Sequence, residues 1–340
     1  MYKIIGDNNR VNYGSIDEPV DFNYHDFRLL NIFEEEITGL KKKYALHAFN
    51  YMAIVTGDYL IGMAVVDLHS MANVLVFVFN YEKGKVYEYD GLTLSRKLHF
   101  PVNPDEYDIH FRNRKGHCSI SKSHAKGLLE IDVEFGKMLT IKGSFPYSLK
   151  THSPLRVLNP SCGDPHRFTF TEKCAPIAPR SLDISLCGKP LPVDLKETML
   201  LYDWSGGYLN RNTNWLWAAF AGARADGTTI GANFAALVNE TWYSENAFWI
   251  NNKRTRVQRA IFDFDTSDPA REWRIWSEDG QVDITARPSE ALRRKSNFGI
   301  VKINFRQFVC DFSGKLKTDK GPAVTFTNVR GLTEIHFAVW

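Results

Sequence analysis

From Ala48 onward the chain alternates short apolar runs with turn residues. Ala48 to Thr56 is followed by Gly57-Asp58, then by Tyr59 to Leu68, then by Val74 to Asn80 and the turn Glu82-Lys-Gly84. Runs of this length, rich in Val, Ile, Thr and aromatic residues and bounded by turn formers, predict strands joined as hairpins. Asp108 to Arg112, His117 to Ser121, Leu128 to Phe135 and Lys137 to Lys142 continue the same pattern. No segment of this half keeps a 3.6-residue period for more than two turns, so the predicted fold class is all-β. The charged stretch from Phe33 to Lys43 reads as a solvated loop or a single turn of helix.

The second half repeats the first. Tyr51 to Gly62 lies beside Phe220 to Gly231, and Phe77 to Asn80 beside Phe248 to Asn251. Ile109 to Ile120 lies beside Trp273 to Ile284, and Ile131 to Phe135 beside Val301 to Phe305, the four matches falling at spacings of 169, 171, 164 and 170 residues. Four collinear matches at half the chain length predict a duplicated antiparallel unit, with one copy in residues 1–153 and the other in 154–340, joined across the Pro-rich stretch from Pro154 to Pro192. A meander must hide its edges, and two small β-barrels do so most economically, a pair of sandwiches being the alternative.

The copies are not equivalent. All eight tryptophans lie at or beyond Trp204, whereas nine of the ten histidines lie at or before His166. In the repeat alignment Trp217 falls opposite Ala48, Asn233 opposite Ala64 and Glu245 opposite Val74. A polar residue on a strand buried on both faces costs about 1 to 3 kcal/mol unless it finds a partner, so this pattern points to a pocket in the second copy. Tyr202 to Asn251 is its densest part. Asp203 and Glu245 are the candidate acids: a carboxyl walled by Trp204, Trp217 and Trp249 would be desolvated and able to give up a proton near neutral pH. The alternative is that Asp203 pairs with Arg211 and Glu245 caps a turn. Arg211, Trp215, Trp217, Asn233, Asn239 and Trp249 are the candidate ligand contacts, with Trp215 and Trp217 sharing one face by the period of two.

A net charge of +3 with 24% charged residues leaves no case for a nucleic-acid surface. No apolar run reaches the roughly 18 to 20 residues of a membrane-spanning helix, and no secretory signal opens the chain, which predicts a cytoplasmic protein. The five cysteines form no Cys-x-x-Cys pair and read as free thiols. His110, His117 and His124 lack a convincing third ligand, so neither a metal nor a cofactor is expected. No phosphate loop, Gly-x-Ser-x-Gly elbow or dinucleotide fingerprint is present.

Tyr202-Asp-Trp-Ser-Gly-Gly, Asn214-Trp-Leu-Trp-Ala, Gly231-Ala-Asn-Phe, Glu245-Asn-Ala-Phe-Trp and the final Glu334-Ile-His-Phe-Ala-Val-Trp340 resemble the bacterial family named domain of unknown function 2804, as do Thr171-Glu-Lys173 and Pro154-Leu-Arg156. That resemblance implies a residue pattern and no mechanism. At the level of architecture the chain is similar to tandem lipocalin-like proteins such as the AttH-like family and the carotenoid hydratases, which implies two calycin barrels and apolar ligands. Three functions follow as expectations. The first is binding of a hydrophobic small molecule or lipid in a Trp-lined cavity of the second domain. The second is cofactor-independent, acid-catalysed hydration, isomerisation or cyclisation of an apolar substrate, and the third is a structural protein with filled barrels.

Overall fold

The computed structural model describes residues 1–161, 164–238, 242–297, 299, 301–319 and 321–339. The candidate contact Asn239 lies outside the described residues. The fold is all-β, with short helices at Gly39–Ala45 and Leu149–His152.

Three large antiparallel sheets carry the structure. An eight-stranded sheet contains the meander His47–Thr56, Tyr59–Asp67, Met71–Asn80 and Gly84–Leu94, extended on its other side by Met199–Tyr208, Asp164–Ile177 and Leu155–Ser161. A seven-stranded sheet built around Glu106–Asn113, Gly116–Ser123, Leu128–Phe135 and Leu139–Pro146 faces it. Between these two sheets lies one core, to which Met52, Ile61 and Phe170 contribute from the first sheet and Ile109, Ile131 and Ile141 from the second. The third sheet has nine strands and curls around a core of its own, including Phe220, Phe248, Trp273 and Phe308. Its first strand, Asn212–Ala223, pairs with its last, Val324–Val339, which hides two edges that a flat meander would expose.

The sheets do not change over at residue 153. Met199–Tyr208 runs antiparallel to His47–Thr56 from Met199↔Val55 to Gly207↔His47, so residues 155–208 belong to the amino-terminal unit and the nine-stranded sheet begins at Asn212. The Pro-rich stretch is therefore strand and loop of that unit and not a linker. Pro176 is accommodated because Asp164–Ile177 shifts register between Cys174 and Ile177, where it has no ladder N–H to give.

The two units share part of their strand order. In each unit the meander begins with a strand that also pairs with the unit's last long strand. Gly62 and Gly231 sit on the second meander strand, and Phe77 and Phe248 on the third. The registers differ by one residue, Gly62 facing Phe77 whereas Gly231 faces Trp249.

A third apolar cluster joins the units. Ala53, Leu60, Phe77 and Leu201 of the eight-stranded sheet pack against Trp217, Ala219, Trp249 and Leu332 of the nine-stranded sheet. The eight-stranded sheet is therefore covered on both faces, and every residue of Met199–Tyr208 is buried. The units come close at Gly231, where a Cβ would stand 2.5 Å from the Ala175 carbonyl carbon. Only a glycine lets the two backbones approach this far.

Candidate functional site

A cavity of about 600 Å³ lies between the two units. Its amino-terminal wall is the outer face of the eight-stranded sheet, including Phe49, Tyr51, Val66, Leu75, Lys173 and Asp203. The opposite wall is the outer face of the nine-stranded sheet, with Trp215, Trp217, Phe305, Glu334 and His336, and Glu245 closes it. Leu92 and Leu237 mark its mouth, since both line the cavity while remaining 53% and 59% exposed. The lumen expected inside the second barrel is instead filled by that unit's own core.

Strand alternation places the charges. Lys173 and Asp203 are cross-strand partners, and Lys173 Nζ stands 2.5 Å from Asp203 Oδ2 and 3.5 Å from Glu245 Oε2. All three residues are buried, with relative exposures of 4, 7 and 5%. Asp203 Oδ1 has no hydrogen-bond partner among the described residues. Burial, reinforced by the charges of Glu245 and Glu334 and opposed by Lys173, pushes the Asp203 carboxyl up to about 6. Burial works against the Lys173 ammonium, but the two adjacent carboxylates outweigh it and hold its pKa above the usual lysine value. Lys173 is therefore a fixed cation and not a nucleophile.

A second polar row crosses the nine-stranded sheet. Gln307, Glu334 and Trp217 occupy neighbouring register positions, as do Phe305, His336 and Trp215. Glu334 accepts a hydrogen bond from Trp215 Nε1 at 2.7 Å and another from Gln307 Nε2 at 2.7 Å. Tyr51 of the other unit donates to Gln307 Oε1 at 3.1 Å, so this network crosses the interface. Trp215 stacks on His336 with ring centroids 3.8 Å apart, and Tyr51 meets Trp217 edge-on at 5.4 Å. The walls are thus rigid aromatic surfaces whose orientations are fixed by buried hydrogen bonds.

Four of the predicted site residues, Asp203, Glu245, Trp215 and Trp217, meet at this cavity. Asn233 stands behind them: its Oδ1 accepts from Trp217 Nε1 at 2.7 Å and its Nδ2 donates to the Glu245 carbonyl at 2.7 Å. Its amide orients the other two residues and is satisfied by them. Trp249 does not line the cavity; it is fully buried between the units and donates to the Ser153 carbonyl at 3.0 Å. Arg211 is exposed and is no partner of Asp203, whose cation is Lys173. Trp204 does not wall Asp203 either, because it projects from the opposite face of its strand into the amino-terminal core.

Sequence reasoning missed Lys173, Glu334 and His336. The available signal was charge in otherwise apolar strands: Glu334 and His336 are two residues apart on one face, and Glu172-Lys173 interrupts a run of residues buried on both faces. Glu172 takes the other side. It lies in the amino-terminal core with Lys122 Nζ at 2.5 Å, Arg156 Nε at 3.0 Å, His124 Nε2 at 3.1 Å and Tyr147 OH at 2.7 Å. Asp105, His124 and Glu172 bring potential ligand atoms within 4.8 Å of one another. Lys122 already neutralises Glu172 and Arg156 pairs with both carboxylates, so a metal cation would meet a compensated cluster. His110 bonds Ser119 and Asp108 while His117 bonds Asp132, and neither joins His124.

No curated protein matches the chain in sequence. Among solved structures, CghA superposes with a TM-score of 0.57 at 9% identity, covering 100% of this chain and 97% of its own. Kievitone hydratase from Nectria haematococca superposes with a TM-score of 0.50 at 13% identity, covering 86% of this chain and 88% of its own. At these identities the likeness is one of fold. In sequence, the profile of the family described as domain of unknown function DUF2804 matches residues 22–340, nearly the whole chain, and the protein belongs to that family.

Proposed function

We propose that the cavity between the units binds an apolar small molecule and that Asp203 serves there as a general acid, in an addition or loss of water or an isomerisation. The observation that carries this reading is the Asp203 carboxyl at the cavity wall, one oxygen held by Lys173 at 2.5 Å and the other without a partner among the described residues. With its pKa raised to about 6, roughly a tenth of the carboxyl is protonated at pH 7, enough to donate while its conjugate base stays stable. Trp215, Trp217 and Phe49 line the cavity, and an aromatic wall of this kind suits an electron-poor centre such as protonation of an alkene or enol produces. The fold shared with kievitone hydratase supports water chemistry as the first reaction class to assay. The same reading takes the two units as diverged lipocalin-like copies, supported by their common strand order.

Native mass spectrometry of gently purified protein tests the binding, and the ligand it retains becomes the substrate for assay. Asp203→Asn should keep that ligand and lose turnover by about two to four orders of magnitude. If the variant turns over normally, the acid is elsewhere. If the wild type holds the ligand unchanged, the site is a carrier, a role the Lys173–Asp203 ion pair also suits by fixing a polar end of the ligand.

A further inference from the structure

The charge inside the cavity has a sign. Asp203, Glu245 and Glu334 are each no more than 7% exposed, and Lys173 is the only buried cation among the described residues that line the cavity. Arg294 and Asp90 at the wall pair with each other at 3.0 Å and cancel. His336 is stacked on Trp215, with Nδ1 3.4 Å from Glu334. Three carboxylates therefore face one ammonium behind aromatic walls, in a chain whose overall charge is +3. The local excess is opposite in sign to that of the whole molecule, so diffuse surface attraction cannot explain a cation found there.

We propose that the cavity selects apolar molecules whose polar end is a cationic hydrogen-bond donor, a lipophilic primary or secondary ammonium, over neutral or anionic analogues of the same shape. The proposal deepens the ligand-binding reading above and rests on it. Three features support it. The first is the unpartnered Asp203 Oδ1, an acceptor that only a donor can satisfy. The second is the occupation of the wall's indole donors: Trp215 Nε1 is spent on Glu334 and Trp217 Nε1 on Asn233. The third is the aromatic lining of Tyr51, Trp215 and Trp217, a kind of wall that favours a cation over an anion. An anionic ligand would meet the buried carboxylates without a free cation to answer it.

The test titrates the wild-type protein with decylammonium, 1-decanol and decanoate at concentrations below micelle formation, read by tryptophan fluorescence and by calorimetry. Decylammonium should bind at least tenfold more tightly than decanol, and decanoate more weakly than decanol. Glu245→Gln and Asp203→Asn should each shrink the ammonium preference severalfold while leaving decanol within about twofold; either variant suffices if the other fails to fold. Trp217→Ala should weaken all three probes, which places them in the cavity. Decanol or decanoate binding as well as decylammonium, with the Trp217→Ala effect intact, overturns the charge preference and leaves the cavity reading standing. Failure of all three probes to bind overturns both.

Discussion

Lys173 Nζ lies 2.5 Å from Asp203 Oδ2 across adjacent strands, while Glu172, one residue earlier, lies on the opposite face with Lys122 at 2.5 Å. One dipeptide thus supplies a charge to each side of the eight-stranded sheet. Glu172 is sealed in a core whose cations hold its pKa well below the usual carboxylate range despite the burial that opposes them. Lys173 faces a cavity where carboxylates are in excess. The first arrangement is closed and the second borders an open cavity.

Removing the cation should expose that imbalance. Lys173→Met leaves Asp203, Glu245 and Glu334 buried together and should cost about 3 to 5 kcal/mol in urea denaturation. The double variant with Asp203→Asn should recover part of the loss, and a coupling energy near zero would show that the two charges do not depend on each other.

Asp203 should titrate near pH 6. A reaction that uses its protonated form should slow about tenfold for each pH unit above 6, and Asp203→Asn should remove that limb. Carbon-detected NMR of the labelled carboxyl checks the titration without an activity assay.

Asn233→Ala should act at a distance. It leaves Trp217 Nε1 and the Glu245 carbonyl without their partner, at a stability cost of about 1 to 3 kcal/mol, and frees the indole that forms the cavity wall. Fluorescence anisotropy decay of Trp217, with the remaining indoles replaced where the fold permits, should report the added motion. An unchanged decay would separate Asn233 from the wall's geometry.

Gly231→Ala should loosen the contact between the units. The added methyl would stand 2.5 to 2.7 Å from the backbone of Ala175 and Pro176, which cannot move aside as a side chain does, and a cost of about 1 to 3 kcal/mol is expected. Cavity binding should weaken in parallel, because its two walls belong to different units. Retained affinity in a destabilised variant would show that the units keep their spacing.

Acid should destabilise the protein between pH 6.5 and 4. Burial lowers His47 and His152 from 6.5 to about 4, so the unfolded chain takes up those protons first as pH falls. Their contribution is complete above pH 6.5 and lost on the way to pH 4, at most about 3 kcal/mol for each. Asp203 opposes this: with its folded pKa raised, the native state binds the proton first between pH 6 and 4 and gains up to about 3 kcal/mol. Two histidines against one aspartate predict a net loss, measurable as a falling denaturation midpoint, and His152→Asn should make the fall shallower.

The sequence alone determined the all-β class and marked carboxylates among tryptophans as cavity-lining candidates, because both are local properties. The period of two and the turn spacing mark strands wherever they end up, and carboxylates beside tryptophans in apolar strands need a partner in any tertiary arrangement. Asp203, Glu245, Trp215 and Trp217 were legible for that reason. Which strand faces which was not. Residues 155–208 join the amino-terminal unit through pairing with His47–Thr56, a choice made by register between segments about 150 residues apart, to which no local pattern is sensitive. That pairing moves Asp203 and Lys173 to the wall opposite the tryptophans and sends Trp204 into another core. Only the packing of one sheet's outer face on another therefore decided that the cavity lies between the units, with Lys173, Glu334 and His336 lining it and Arg211 and Trp249 outside.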